Sequence, residues 1–378
     1  MTPSTAGITA LPSQPATWVD VDLARIESNA RVLTRLATVP LMAVVKANGY
    51  GHGAIAAAMA ALRGGAAWCG VARSDEAMEL RRGGVGCPIL LLGWPPPQTL
   101  PELIAAGVSL TVWSLEQVSE IAAAARTLGR RARVHLKADT GMSRLGLPPE
   151  DMVEFARAVA ATQGVTQEGL FTHYACADDP ASGVTADQER RMSELAAALA
   201  AAGLRPGLVH AANSAATLTR PTSRFDLVRV GIALYGLEPS PTCPLPSGLG
   251  AALSWRAVLT QVKTLPAGRG VSYGHTYTTS RRERIGTVAV GYGDGFRRSP
   301  GNLALVGGKR VPVVGRVCMD QVLVQLDSVR EARAGDEVVL IGEQAVERLR
   351  AEDLALAWGT ITYEVVCGIA ARVPRRHV

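Results

Sequence analysis

The chain has 378 residues, 48% hydrophobic and 19% charged, which is enough for a sizeable core and two domains and argues against long disordered segments. Its formal charge of +6 is scattered, with short basic pairs such as Arg281 and Arg282, and aromatics are only 4%, so the clustered cations and interleaved rings of a nucleic-acid surface are missing. No uncharged apolar run reaches the roughly eighteen residues of a membrane span, and residues 1–16, which contain no Lys or Arg, read as a loose terminus rather than a signal peptide. A cytoplasmic protein bound to neither nucleic acid nor membrane is expected.

Taken in chain order, residues 18–23 alternate like a strand. From residue 40 short apolar runs then alternate with Ala-rich helical patterns. The predicted strands are 41–46, 67–72, 88–93, 108–113, 132–138, 169–174, 207–212 and 227–235. Ser74 followed by Asp75 and Glu76, and Ser114 three residues before Gln117, mark helix starts. Eight strands with intervening helices predict a (β/α)8 TIM-type barrel. An open doubly wound sheet would need a GxGxxG turn after a strand, and none is present. Residues 239–250 form a Pro/Gly/Ser-rich linker. Beyond it the runs 257–262, 284–290, 309–314, 321–326 and 337–341 read as a mostly antiparallel β domain with one helix at 346–357. The expected organisation is a flexible terminus (1–16), a barrel (17–245) and a β domain (246–378), with strand 17–23 open to joining the latter.

The six cysteines show neither a CxxC pair nor a disulfide framework, and the six histidines show no metal-ligand spacing, so reduced thiols and no metal are expected. Only four of the 39 cationic residues are lysines: Lys46, Lys137, Lys263 and Lys309. Arginine cannot bond an aldehyde or usefully lose a proton, whereas lysine can. Two of the four fall at the carboxyl ends of predicted barrel strands, the active face of such barrels. Lys46 is flanked by Gly49, Gly51 and Gly53, which permit close approach of a ligand. Lys137 has two readings, a functional amine or an ion pair with Asp139 or Glu168. Tyr50 and Tyr273 by themselves read as buried tyrosines with satisfied hydroxyls, and His173 and His210 as core histidines.

The segments AVVKANGYGHG, KADTGMSRLG, THYA, AANSAA, VRVGIALYG, VSYGHTY, VGYGDG, GRVCMDQ and YEVVCG closely resemble, in order, blocks of the alanine racemase family, over residues 17–373. The resemblance implies a barrel followed by a β domain, bound pyridoxal 5'-phosphate (PLP), a small amino-acid substrate and a head-to-tail homodimer with shared active sites. The expected reaction is L-alanine/D-alanine racemisation, supplying D-alanine for peptidoglycan. It implies that Lys46 bonds the cofactor and is one of two catalytic bases. Tyr273 is then the second base, supplied by the other subunit, and Arg229 faces the pyridine nitrogen. Tyr50, Ser214, Tyr363 and the backbone of Gly231 and Ile232 hold the phosphate. Arg144 and the Met319 backbone bind the substrate carboxylate. His173 lies beside Arg229, Asp320 follows Met319, and Lys137 matches a lysine often carbamylated by carbon dioxide.

The chemistry accounts for two bases: a proton leaves one face of the α-carbon and returns on the other. Departures are small. Gly49 stands where many relatives have Ala, Ser143 occupies a variable place, and residues 177–185 form a variable loop. The rivals are a PLP-dependent decarboxylase on the same plan and a non-catalytic PLP-binding homeostasis protein. Arg229 and the Cys318-Met319-Asp320 motif argue against the first; the β domain and Tyr273 argue against the second.

Overall fold

The computed structural model describes residues 15–378, so the expected loose terminus lies almost wholly outside the described residues. The first strand, β1 (Thr17–Val21), buries Trp18, Val19 and Val21. Eight parallel strands follow: β2 (Leu41–Val44), β3 (Trp68–Val71), β4 (Ile89–Leu91), β5 (Val108–Val112), β6 (Ala132–Lys137), β7 (Val165–Phe171), β8 (Leu208–His210) and β9 (Val228–Val230). They are bonded in the order β8-β7-β6-β5-β4-β3-β2-β9. Across the remaining gap Asp226 donates its N–H to the Val209 carbonyl at 2.9 Å and Arg229 to that of Ala212 at 3.0 Å, so the sheet comes round to a nearly closed barrel. All five residues of β5 are buried, as expected for a parallel strand covered on both faces.

The expected eight-stranded barrel is present, but each strand begins or ends differently from its prediction. The run expected at 41–46 stops at Val44, 169–174 stops at Phe171, and 227–235 is a strand only over Val228–Val230, with a 3-10 turn at Ile232–Tyr235. Apolarity continues past the last ladder bond because the loops at the strand ends are buried too. Helix starts follow the capping signals: Gln117 donates its N–H to Ser114 Oγ, and its side chain accepts from the Ser114 N–H at 3.1 Å. Helix Leu23–Ala37, capped by Asp22, buries Ile26, Asn29, Ala30, Leu33 and Ala37 along one stripe.

The remaining strands are β10 (Leu253–Leu265), β11 (Gly270–Val271), β12 (Tyr277–Thr278), β13 (Glu283–Val288), β14 (Leu303–Val306), β15 (Lys309–Pro312), β16 (Val322–Gln325), β17 (Glu337–Gln344), β18 (Glu347–Leu349) and β19 (Arg375–His377). The main path is β15-β14-β17-β10-β1-β19, with β13 on β10, β16 on β13 and β18 on β17. The helix expected at 346–357 is split. Its first residues form β18, paired with β17 through a two-residue turn in which Ala345 is left-handed, and the helix runs over Ala351–Trp358. No Asn-Gly or Asp-Gly announces that turn.

The chain divides into two compact units. One comprises Val21–Leu253, Ala351–Gly368 and His377–Val378; the other comprises the described residues through Asp20, Ser254–Arg350 and Ile369–Arg376. No helix among the described residues is long and apolar enough to cross a membrane.

Candidate active site

In the barrel unit Arg229 of β9 is almost completely buried. One terminal nitrogen donates to Nδ1 of His210 at 3.0 Å. The other donates to the Thr172 and Ala211 carbonyls at 2.8 and 2.9 Å and reaches Nδ1 of His173 at 3.3 Å. Burial pulls its pKa down to about 10, which still leaves a cation at neutral pH. His173, half-buried, is held well below the usual imidazole range by desolvation and then by the Arg229 charge.

Lys137 at the end of β6 is buried, with Nζ donating to the Ala138 carbonyl at 3.2 Å and standing 4.9 Å from the Phe171 ring centroid. Its two candidate ion-pair partners are engaged elsewhere. Glu168 binds Ser109, His135 and Arg133, while one oxygen of Asp139 accepts the N–H groups of Gly141, Met142 and Ser143. Burial, then Arg229, brings the Lys137 pKa down to about 7. The Asp139 bonds shape the loop that carries Arg144, whose side chain is exposed.

Lys46 opens a tight left-handed turn: Ala47, Asn48 and Gly49 have φ of 52°, 53° and 62°. Left-handed backbone costs about 1–2 kcal/mol per residue outside glycine, so the turn needs anchors. Ala47 donates to Glu76 Oε1 at 2.6 Å, and Asn48 Oδ1 accepts from the Ala54 N–H at 3.0 Å. The half-buried Lys46 amine has its pKa lowered by desolvation first and by Arg144 second. Strained backbone held by its surroundings is characteristic of functional positions.

At the Tyr50 end of this turn, N–H and hydroxyl groups gather around Gly231. Ser214 Oγ accepts from the N–H of Gly231 at 3.0 Å and of Ala233 at 3.4 Å. Ile232 lies between them at the start of the 3-10 turn. Gly231 is bare for a reason: a Cβ there would stand 2.4 Å from the Tyr50 hydroxyl. Tyr50 packs against Tyr235 and Tyr363, with ring centroids 5.2 and 6.0 Å away. Tyr363 is presented by helix Thr362–Cys367, which falls in the barrel unit and which the sequence reading missed. Burial raises both the Tyr50 and Tyr363 pKa values, so both hydroxyls keep their protons and can donate. Tyr50 is indeed a buried tyrosine.

In the second unit Tyr273 and Met319 line a groove of about 660 Å³ together with His275, Cys318, Asp320 and Gln321. Tyr273 is not buried; it is 66% exposed, and Met319 is 53% exposed. It sits in the loop of the hairpin β11–β12, where Ser272, Gly274 and His275 all have positive φ. Asp320 is tied by Arg372 at 2.7 Å, and Arg372 also binds Asp294 at 2.7 Å. The sequence reading did not single out Arg372, Asp294 or the His135–Glu168 pair. Asp294 belongs to the VGYGDG block, but Arg372 lies far from it in sequence.

The sequence profile described as "Alanine racemase, N-terminal domain" matches residues 21–239, and that of "Alanine racemase, C-terminal domain" matches residues 252–377. A curated alanine racemase of Symbiobacterium thermophilum is 48% identical over 362 residues, covering 95% of this chain and 96% of that protein. The crystal structure of the alanine racemase of Streptomyces lavendulae superposes with a TM-score of 0.93 at 42% identity, covering 97% of this chain and 98% of that one. The Bacillus anthracis alanine racemase, solved with bound L-Ala-P, gives 0.91 at 39% identity over 97% and 96% of the two chains.

Proposed function

The chain belongs to the alanine racemase family and interconverts L-alanine and D-alanine, and from that premise we propose that Lys46 and Tyr273 are its two bases around a bound pyridoxal phosphate. The decarboxylase and non-catalytic readings are not favoured by these relatives. What carries the proposal is the collection, at one mouth of the barrel, of a lysine with a lowered pKa, a buried guanidinium and a cradle of N–H and hydroxyl donors. The donor set fits a phosphate ester at Ser214, Gly231, Ile232, Tyr50 and Tyr363, where the missing Gly231 side chain leaves room for the Tyr50 hydroxyl. When bound, pyridoxal phosphate supplies an aldehyde for the amine of lysine or substrate and an electron sink that acidifies the α-C–H bond.

The chain's own groups supply the rest. Desolvation lowers the Lys46 pKa and so favours the free amine that can take the α-proton on one face and return it. Tyr273 Oη takes that role on the opposite face. Arg229 would present a cation to the pyridine nitrogen of the bound cofactor, which would disfavour protonation there, weaken the sink and limit transamination. The Arg144 guanidinium and the Met319 N–H hold the substrate carboxylate, and His173 packs against Arg229.

A base that is 66% exposed is poorly placed to exclude water, so Tyr273 serves the Lys46 site of a second copy. Reciprocity in a two-fold dimer gives two such shared sites. Lys137, carrying carbon dioxide as a carbamate, would offer Arg144 an anionic partner. The six free thiols suit a reducing cytoplasm, where the D-alanine produced would feed peptidoglycan synthesis. Borohydride reduction of the purified protein followed by peptide mapping tests the reading: the pyridoxyl group should appear on Lys46, and its appearance on Lys137, Lys263 or Lys309 would overturn it.

A further inference from the structure

Strand β7 carries one residue more than its neighbour. Val134 of β6 pairs with Gln167 and His135 with Gly169, leaving Glu168 as the extra residue of a bulge. A bulge re-aims a side chain that strict alternation would send elsewhere. Here it gives the Glu168 carboxylate a bond from Ser109 Oγ at 2.5 Å, one from His135 Nε2 at 3.1 Å and a contact with Arg133 at 3.3 Å. Gly169 makes room for the imidazole, since a Cβ there would stand 2.2 Å from Nδ1 of His135. That same Nδ1 lies 2.9 Å from Nε2 of His210, whose own Nδ1 meets Arg229 at 3.0 Å.

Only one arrangement of protons satisfies this chain. A guanidinium can only donate and a carboxylate can only accept. Nδ1 of His210 must therefore accept from Arg229, which leaves its single proton on Nε2 to donate to Nδ1 of His135. His135 in turn donates from Nε2 to Glu168. A second proton on either ring would set N–H against N–H. Burial opposes such protonation: it lowers the His210 pKa well below the usual range, aided by Arg229, and lowers that of His135 despite the opposing pull of Glu168. Phe171 stacks on His210 at 4.9 Å and Trp68 meets the edge of His135 at 5.7 Å, so neither ring turns freely. No carboxylate among the described residues forms an ion pair with Arg229, and the anion its contacts lead to is Glu168.

We propose that Glu168 is a positioning residue for racemisation, fixing the plane and charge of Arg229 through His135 and His210. The inference rests on the reading that Arg229 faces the pyridine nitrogen. Hydrogen-bonded chains polarise along their length, so the distant carboxylate strengthens Nδ1 of His210 as an acceptor and holds the guanidinium square to its task.

The test uses holoenzyme labelled with 15N in the imidazoles, where six histidines keep the spectrum tractable, together with kcat and KM for L-alanine. In the wild type both His135 and His210 should be neutral with the proton on Nε2. Glu168→Gln retains an acceptor and should keep both tautomers and a kcat within about threefold of wild type. Glu168→Leu removes the acceptor; it should shift at least one tautomer and lower kcat about tenfold to a hundredfold, with KM within about twofold. Either imidazole protonated on Nδ1 in the wild type would overturn the proposal, and that spectrum decides even if Glu168→Leu does not fold. Shifted tautomers with an unchanged kcat would overturn the positioning role. Arg229→Gln, measured alongside, separates the two levels. Racemisation indifferent to that change would sink the reading of Arg229 itself, whereas an impaired Arg229→Gln beside an intact Glu168→Leu would sink only the relay.

Discussion

The two units prepare their chemistry in opposite ways. In the barrel unit the candidate groups are anchored by the chain's own interior: Arg229 makes contacts to two carbonyls and two imidazoles, and Ser214 is locked under two N–H groups. In the second unit Tyr273 and Met319 stand in an open groove, and what is fixed there is the backbone that presents them. A buried array can hold pKa values away from their usual range, as at Lys137; an open groove can do so only after something covers it. On the proposed reading, the buried groups are held ready within one chain, whereas Tyr273 and Met319 await a second copy.

The comparison breaks first at Lys46. If Lys46 holds the cofactor and acts as a base, as proposed, Lys46→Ala removes both functions, and racemisation measured by chiral chromatography should fall by more than about 10⁴-fold. Substantial residual activity would mean that the barrel unit does not hold the essential amine.

The next test bears on the open half. Tyr273→Phe should cost about 10²–10⁴-fold in kcat, and its mixture with Lys46→Ala should recover activity. Random exchange makes half the dimers mixed, each with one intact site of two, so recovery should approach about a quarter of wild type. No recovery, with exchange confirmed by mass spectrometry, would refute the shared site.

Legibility in the sequence follows the same division. The barrel was readable because eight apolar runs recur at helix-length intervals, and Lys46 stood out because lysine is so rare in this chain. The strand ends were not readable, since a buried turn such as Ile232–Tyr235 is as apolar as the ladder before it. The relay was invisible: Glu168, His135 and His210 come together only through a bulge and a glycine, neither of which periodicity announces. Strand β14 was missed because four residues between Gly-rich turns carry little pattern.

A smaller effect is expected at Lys137. Its amine, with a pKa of about 7, is largely neutral above that pH and can take up carbon dioxide; below it the ammonium predominates and cannot. Lys137→Ala should therefore raise KM for alanine about tenfold, with partial rescue by small carboxylates or chloride. Stripping carbon dioxide should raise the wild-type KM most above about pH 7, where the free amine can carry the carbamate, and least below it. A KM indifferent to both changes would remove Lys137 from the substrate side of the barrel unit.

The smallest effect tests how the open half keeps its shape. Glu283 is buried, accepts from Tyr277 Oη at 2.5 Å and from the Ser280 N–H at 2.8 Å, and is bonded by Gln325 at 3.1 Å. Tyr277 belongs to β12, so this carboxylate anchors the hairpin whose loop carries Tyr273. The Tyr277 bond foremost brings the Glu283 pKa down to about 2, from an ordinary carboxyl value of 4.5. A folded-state pKa below the unfolded one stabilises the protein above the unfolded value, and that stabilisation is lost as pH falls through the folded one. Glu283→Gln should thus lower the thermal midpoint by about 2–4 °C at neutral pH. The gap between wild type and variant should stay level above about pH 5 and close towards pH 2. A gap that is the same at pH 3 as at pH 7 would show that the charge on Glu283 does not hold the hairpin. If the gap closes while Tyr273-dependent racemisation at neutral pH is slowed in the variant, the loop depends on this anchor for its working geometry as well as its stability.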